Sequence, residues 1–65
     1  MKTIKLNNKD IPCEDVLCIR PVAVGSQLYS EFTYRRFEPT YHEETALVPR
    51  DKAYPLELTV RRAKR

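Results

Sequence analysis

The side chains of this chain that could do chemistry form three groups. They are the thiols of Cys13 and Cys18, the imidazole of His42 beside the carboxylates of Glu43 and Glu44, and the basic run Arg61-Arg62-Ala63-Lys64-Arg65. A structural zinc site takes four ligands, typically as two close pairs. Two Cys at a C-x4-C spacing with a single His fall short of that set, so no metal site is expected. Five residues apart on a strand, the two thiols point to opposite faces. With no export signal apparent they are expected to stay reduced.

Nucleophilic catalysis needs a Ser, Cys or Thr held by a base that a third group orients. His42 is the single imidazole, expected on the surface of a polar loop. Glu43 and Glu44 are expected to point away from it, and as adjacent residues not to converge as an acid–base pair. One glycine, Gly25, cannot build a phosphate-binding loop. A chain of 65 residues also has little room for a ligand pocket of the usual ~300–1,000 Å3. The expectation is a non-enzyme without cofactors.

The basic run sets the charge balance. Twelve Lys and Arg stand against nine Asp and Glu, and setting aside the four basic residues of the last five positions leaves eight against nine. The isoelectric point of 9.1 thus describes an end and not the body. Four charges in five residues can neutralise phosphates with a salt-sensitive affinity. They can equally meet an acidic protein surface, or keep an edge strand from pairing with another chain. Arg35 and Arg36 extend the basic character, and Tyr29, Tyr34, Phe37 and Tyr41 are aromatics able to stack on bases. Arg20 and Tyr29 have the composition of a protein interface, where Tyr and Arg are enriched. The candidate binding residues are Arg20, Tyr29, Arg35, Arg36, Arg61, Arg62, Lys64 and Arg65.

The elements that must position these residues are readable in part. Residues 1–7 alternate as a strand, with Ile4 and Leu6 on one face, and Asn7-Asn8-Lys9-Asp10 reads as a polar turn. Gly25-Ser26 signals a two-residue type II′ hairpin, with Gly at the first central position. If Val24 and Gln27 flank that turn, Val22 faces Tyr29, Arg20 faces Glu31, Ile19 faces Phe32, Leu17 faces Tyr34 and Asp15 faces Arg36. Leu17, Ile19, Ala23, Leu28, Phe32 and Tyr34 then make an apolar face. Arg20, Val22, Tyr29, Glu31 and Arg35 make the other. Thr40 and Glu43 match a capping box between Pro39 and Pro49, and Ala46-Leu47-Val48 suits a strand, so a short helical turn near 40–47 or a loop is expected to lead into a short strand. Leu56, Leu58 and Val60 alternate with Glu57, Thr59 and Arg61, which predicts a final half-buried strand.

The whole reads as one mostly β domain over 1–60, an antiparallel sheet or partly closed barrel of four to five strands. The basic end at 61–65 continues the last strand. No apolar run is long enough for a signal peptide or a membrane span, so a cytoplasmic protein is expected. No stretch carries a family signature. Size, a near-neutral body and a mixed aromatic and charged face favour a small protein-binding adaptor or inhibitor, of the accessory kind found in phages and mobile elements. A nucleic-acid-binding β domain, or a subunit of a ribonucleoprotein assembly, is the alternative. A homodimer through an edge strand is a further expectation.

Overall fold

The computed structural model describes residues 2–64. Strands β1 (Thr3–Leu6) and β2 (Lys9–Pro12) form a hairpin, followed by a short 3-10 turn at Cys13–Asp15. Strands β3 (Val16–Val24), β4 (Gln27–Arg36) and β5 (His42–Pro49) make an antiparallel sheet in that order, and helix α1 (Arg50–Ala63) follows. The molecule is mostly β. Its two sheets, of two and three strands, do not close into a barrel.

Both hairpins form because their turn residues tolerate a positive φ. Asn7 and Asn8 sit at φ 53° and 64°, as a type I′ turn requires of both central residues. Gly25 sits at φ 61° while Ser26 stays out of the left-handed region, as type II′ requires. That turn fixes the expected register: Val22 faces Tyr29, Arg20 faces Glu31 and Ile19 faces Phe32.

The register breaks at Leu17. One extra residue bulges out of β3 there, so Val16 and not Leu17 stands opposite Tyr34. Val16 is buried and Leu17 exposed, and Asp15 reaches Arg35 instead of Arg36. The polar turn expected at residues 7–10 is shorter than read, because Lys9 and Asp10 already belong to β2.

Two further expectations are corrected. Residues 42–49 form a strand and not a helical turn, because all eight positions find partners along β4, from Arg36 opposite His42 to Tyr29 opposite Pro49. A lone helical turn fixes several residues for few hydrogen bonds and cannot compete with a ready sheet edge. The predicted final strand is also a helix, α1. Ala53, Leu56 and Val60 lie three and seven positions apart on one helical face, and Ala53 and Val60 are buried. Asp51 in the first turn and Arg61 and Arg62 in the last complement the helix dipole. Arg61 and Arg62 therefore belong to a helix, with Lys64 at its C-terminal cap.

The core lies between the inner face of the larger sheet, the helix and the β1–β2 hairpin. Ile4, Leu6, Ile11, Cys13, Val16, Phe32, Tyr34, Ala46, Ala53 and Val60 build it. Phe32 and Tyr34 are fully enclosed, as the hairpin register implies. Ala23 and Leu28 are not, because the tip of the β3–β4 hairpin projects past the helix and leaves Leu28 58% exposed. Two contacts fasten the far end of the molecule. The Cys13 amide donates to the Lys2 carbonyl at 3.0 Å, and the Lys64 ammonium donates to the Val16 carbonyl.

Candidate interaction surfaces

The helix covers one face of the three-stranded sheet and leaves the other bare. Alternation along the strands decides what that bare face carries. Its rows, read across β3, β4 and β5, are Val22–Tyr29–Pro49, then Arg20–Glu31–Leu47, then Cys18–Thr33–Thr45. Leu47 is 50% exposed and Val24, at the tip, 53%. Two charge pairs lie on this face. Arg20 Nη2 lies 2.5 Å from Glu31 Oε1, and Arg35 Nε lies 2.9 Å from Asp15 Oδ1. Glu43, opposite Arg35 at the far end, has no ion pair among the described residues, and the tip half of the face is apolar around the Arg20–Glu31 pair.

The expected binding residues do not converge. Arg20 and Tyr29 share the bare face. Arg35 and Arg36 stand at the opposite end of β4, where the Arg35 guanidinium lies 5.6 Å from the centre of the Phe37 ring and Phe37 meets Tyr41 at 5.6 Å. Arg61 and Arg62 are exposed on the helix, Lys64 is tied to Val16, and Arg65 lies outside the described residues. No known family, curated protein or solved structure matches this chain.

A second concave surface went unread in the sequence. The projecting hairpin tip and one flank of α1 enclose a groove of about 490 Å3 along Leu28, Arg50, Tyr54, Leu58 and Arg61. It continues toward Pro21 and Ser30 through a hollow of about 250 Å3 that shares Arg50, Glu57 and Arg61. Arg50, Tyr54, Glu57 and Arg61 recur at positions 0, 4, 7 and 11, a helical repeat that the strand reading of 56–60 concealed. Buried Ser30 donates its hydroxyl to Glu57 at 3.2 Å, which holds the helix against β4.

The imidazole is not the free surface group expected. His42 opens β5, and Glu44, two residues on, shares its face of the strand, so the expectation that Glu44 points away is corrected. His42 Nε2 lies 2.9 Å from Glu44 Oε2, and Nδ1 lies 2.8 Å from the Thr40 carbonyl oxygen. Both ring nitrogens thus face acceptors, which favours the doubly protonated ring. The Thr40 carbonyl, and after it Glu44, raises the imidazole's pKa above its ordinary 6.5. Glu44 is held down to about 2, first by the His42 hydrogen bond and then by that from Tyr34. The Tyr34 hydroxyl donates to Glu44 at 3.0 Å and accepts from Asn7 at 3.0 Å, while burial raises its pKa. The cluster stitches the β1–β2 turn to β4 and β5.

Glu43 faces away from Glu44, opposite Arg35, so the two carboxylates diverge as expected. Cys13 is buried in the 3-10 turn, Cys18 is exposed on the bare face, and both are free thiols. Among the described residues no three His, Cys, Asp or Glu side chains are grouped to hold a metal ion. No helix among them is long and apolar enough to cross a membrane.

Proposed function

We propose that the chain is a non-enzymatic protein-binding module, an adaptor or inhibitor that acts by laying the bare face of its three-stranded sheet on a partner protein. The observation that carries this reading is the row Val22–Tyr29–Pro49 beside exposed Leu47, with Arg20 and Glu31 paired between them. Antiparallel sheets often have one solvated face, and such a face normally alternates to polar residues. This one places four apolar side chains in neighbouring rows. A contiguous exposed apolar patch rimmed by polar groups fits a protein surface. Tyr and Arg at its centre match the residue types that dominate binding energy.

Phosphate binding has weaker support. Arg20 and Arg35 already hold carboxylates, and Glu31 at the middle of the face would repel a nucleic-acid backbone.

A photo-crosslinking side chain at Leu47, in cells of the source organism, tests the reading against a control at Lys5 on the small hairpin. The expected result is a discrete protein adduct from position 47, none from position 5, and loss of the adduct in Tyr29→Ala with the melting temperature nearly unchanged. An adduct with nucleic acid, equal labelling from both positions, or no adduct refutes it. Tyr29→Ala that lowers stability while the adduct persists assigns Tyr29 to the Val22 cross-strand pair alone.

A further inference from the structure

We infer a second binding site on the other side of the sheet. The groove between the β3–β4 tip and α1 takes an extended acidic segment of a partner protein, with an apolar side chain between two carboxylates. The inference does not depend on the bare sheet face, because its argument uses none of Val22, Tyr29, Leu47 and Pro49.

The cations come first. Arg50 and Arg61 are both exposed, and among the described residues neither has an ion-pair partner, although Arg20, Arg35 and Lys9 all do. They stand eleven positions apart, close to three helical turns, so both rise on the flank that faces the hairpin tip. That separation is about 16 Å along the helix axis.

Between them lie apolar surfaces that water alone now covers. Tyr54 is 64% exposed and Leu28 58%, on opposite walls of the groove. A tyrosine and a leucine facing across a cleft form a pocket for one apolar side chain. An extended chain advances about 3.3 Å per residue and alternates its side chains, so carboxylates four positions apart share one face about 13 Å apart, and the long arginine side chains reach inward to meet them. The residue midway points to the same face and reaches Tyr54 and Leu28.

The charges between the two arginines separate this ligand from a phosphate polymer. Asp51 and Glu57 also line the groove, and neither forms an ion pair among the described residues. The Glu57 carboxylate accepts from Ser30 and the Asp51 carboxylate accepts the Lys52 amide. A nucleic-acid strand carries a charge at every nucleotide and would bring phosphates against both carboxylates. A peptide can place its anions at the two ends and its backbone N–H groups in the middle. The order cation, carboxylate, cation along the groove thus selects a segment that is acidic at intervals.

An array of fluorescein-labelled decapeptides, each with one leucine between two glutamates spaced two to eight residues apart, tests the inference on the full chain. Fluorescence anisotropy is expected to show the tightest binding at a four-residue spacing with the leucine midway, and weaker binding at the odd spacings that turn one glutamate away. Arg50→Gln and Arg61→Gln should each weaken it about fivefold, with less dependence on salt than the parent shows. Tyr54→Ser should weaken the leucine peptides and leave their alanine counterparts unchanged. These residues are exposed, so circular dichroism should show intact folding in each variant. Backbone amide shifts on titration should centre on residues 28, 50–58 and 61. The inference is overturned if no peptide binds below about 1 mM. It is equally overturned if binding ignores both arginine substitutions, if the shifts map elsewhere, or if an oligothymidine of matched length competes more strongly than the peptides.

Discussion

Replacing Pro55 with alanine should stabilise this protein. Pro55 lies inside α1, six positions past the Pro49 cap. An amide at position 55 would donate to the Asp51 carbonyl, and proline has none to give. A proline within a helix costs about 3 kcal/mol relative to alanine, from the missing bond and the clash of the ring with the carbonyl four residues before. Two features reduce what can be recovered. Pro55 is exposed, so water reaches the deprived carbonyl, and the bond itself returns about 1 kcal/mol. Proline also stiffens the unfolded chain, and losing that costs about 0.4–1 kcal/mol.

Relief of the ring contact adds to the favourable side, and no buried contact is lost. The Pro55 carbonyl is already served by the Thr59 hydroxyl at 3.0 Å and contributes nothing to the change. The expected net gain is about 1–2 kcal/mol, from a domain whose whole stability is on the order of 3–10 kcal/mol. At about 4–8 °C per kcal/mol for a domain of this size, the melting temperature rises by roughly 5–15 °C. Thermal unfolding followed by circular dichroism at the helix band measures it. An unchanged or lower melting temperature would mean that the ring packs favourably or that the unfolded chain dominates, and the reasoning would fail.

The Glu44–His42 contact makes stability depend on pH in two directions. The folded carboxyl of Glu44 lies at about 2 against an ordinary 4.5, so its contribution is complete above 4.5 and fades as the pH falls toward 2. His42 is raised above 6.5, so its contribution is complete below 6.5 and fades as the pH rises through the folded value. Urea midpoints from pH 2 to 8 should therefore change less on both limbs in Glu44→Gln than in the parent, and equal slopes would refute the assignment. In the native protein a thiol reagent should modify one cysteine quickly, Cys18, while Cys13 reacts after unfolding. Two fast thiols by mass spectrometry would place the 3-10 turn in solvent.

What was legible in the sequence followed from turn chemistry. Gly25 at the head of a II′ turn fixed seven residues of β3, Cys18 to Val24, against β4, because a slip by one would turn Phe32 out of the core. The reading failed where two periodicities coincide. Leu56, Leu58 and Val60 satisfy a period of two, and Ala53, Leu56 and Val60 satisfy the helical one. Pro55 stands inside the helix, where proline is disfavoured, and so obscures the helical period further. Ala53, which has no polar function and vanishes completely into the core, was the signal for the helix. The bulge at Leu17 had no local mark, since Val16 and Leu17 are equally apolar and only the packing around Tyr34 prefers one. The groove was hidden for the same reason as the helix, because Arg50, Tyr54 and Arg61 share a flank only once the helix exists. The His42–Glu44 contact was readable as two residues on one strand face, had 42–49 been taken as a strand.

The fastening at the far end has a consequence for how the chain is strung together. Lys2 and Ala63 line one cleft beside Cys13 and Glu14, and Lys64 reaches back to Val16. The two ends of the described chain therefore meet beside the 3-10 turn, while the Gly25-Ser26 tip stands the length of β3 away, about 26 Å. The fold is nearly a closed loop of backbone, and the order in which its elements are joined is almost incidental to their packing. A short linker could unite the ends and the chain could be opened at residues 25–26, with every strand pair and the helix seat retained. Whatever is fused at either end leaves from the same pole, away from Leu28 and the Arg50 end of the groove.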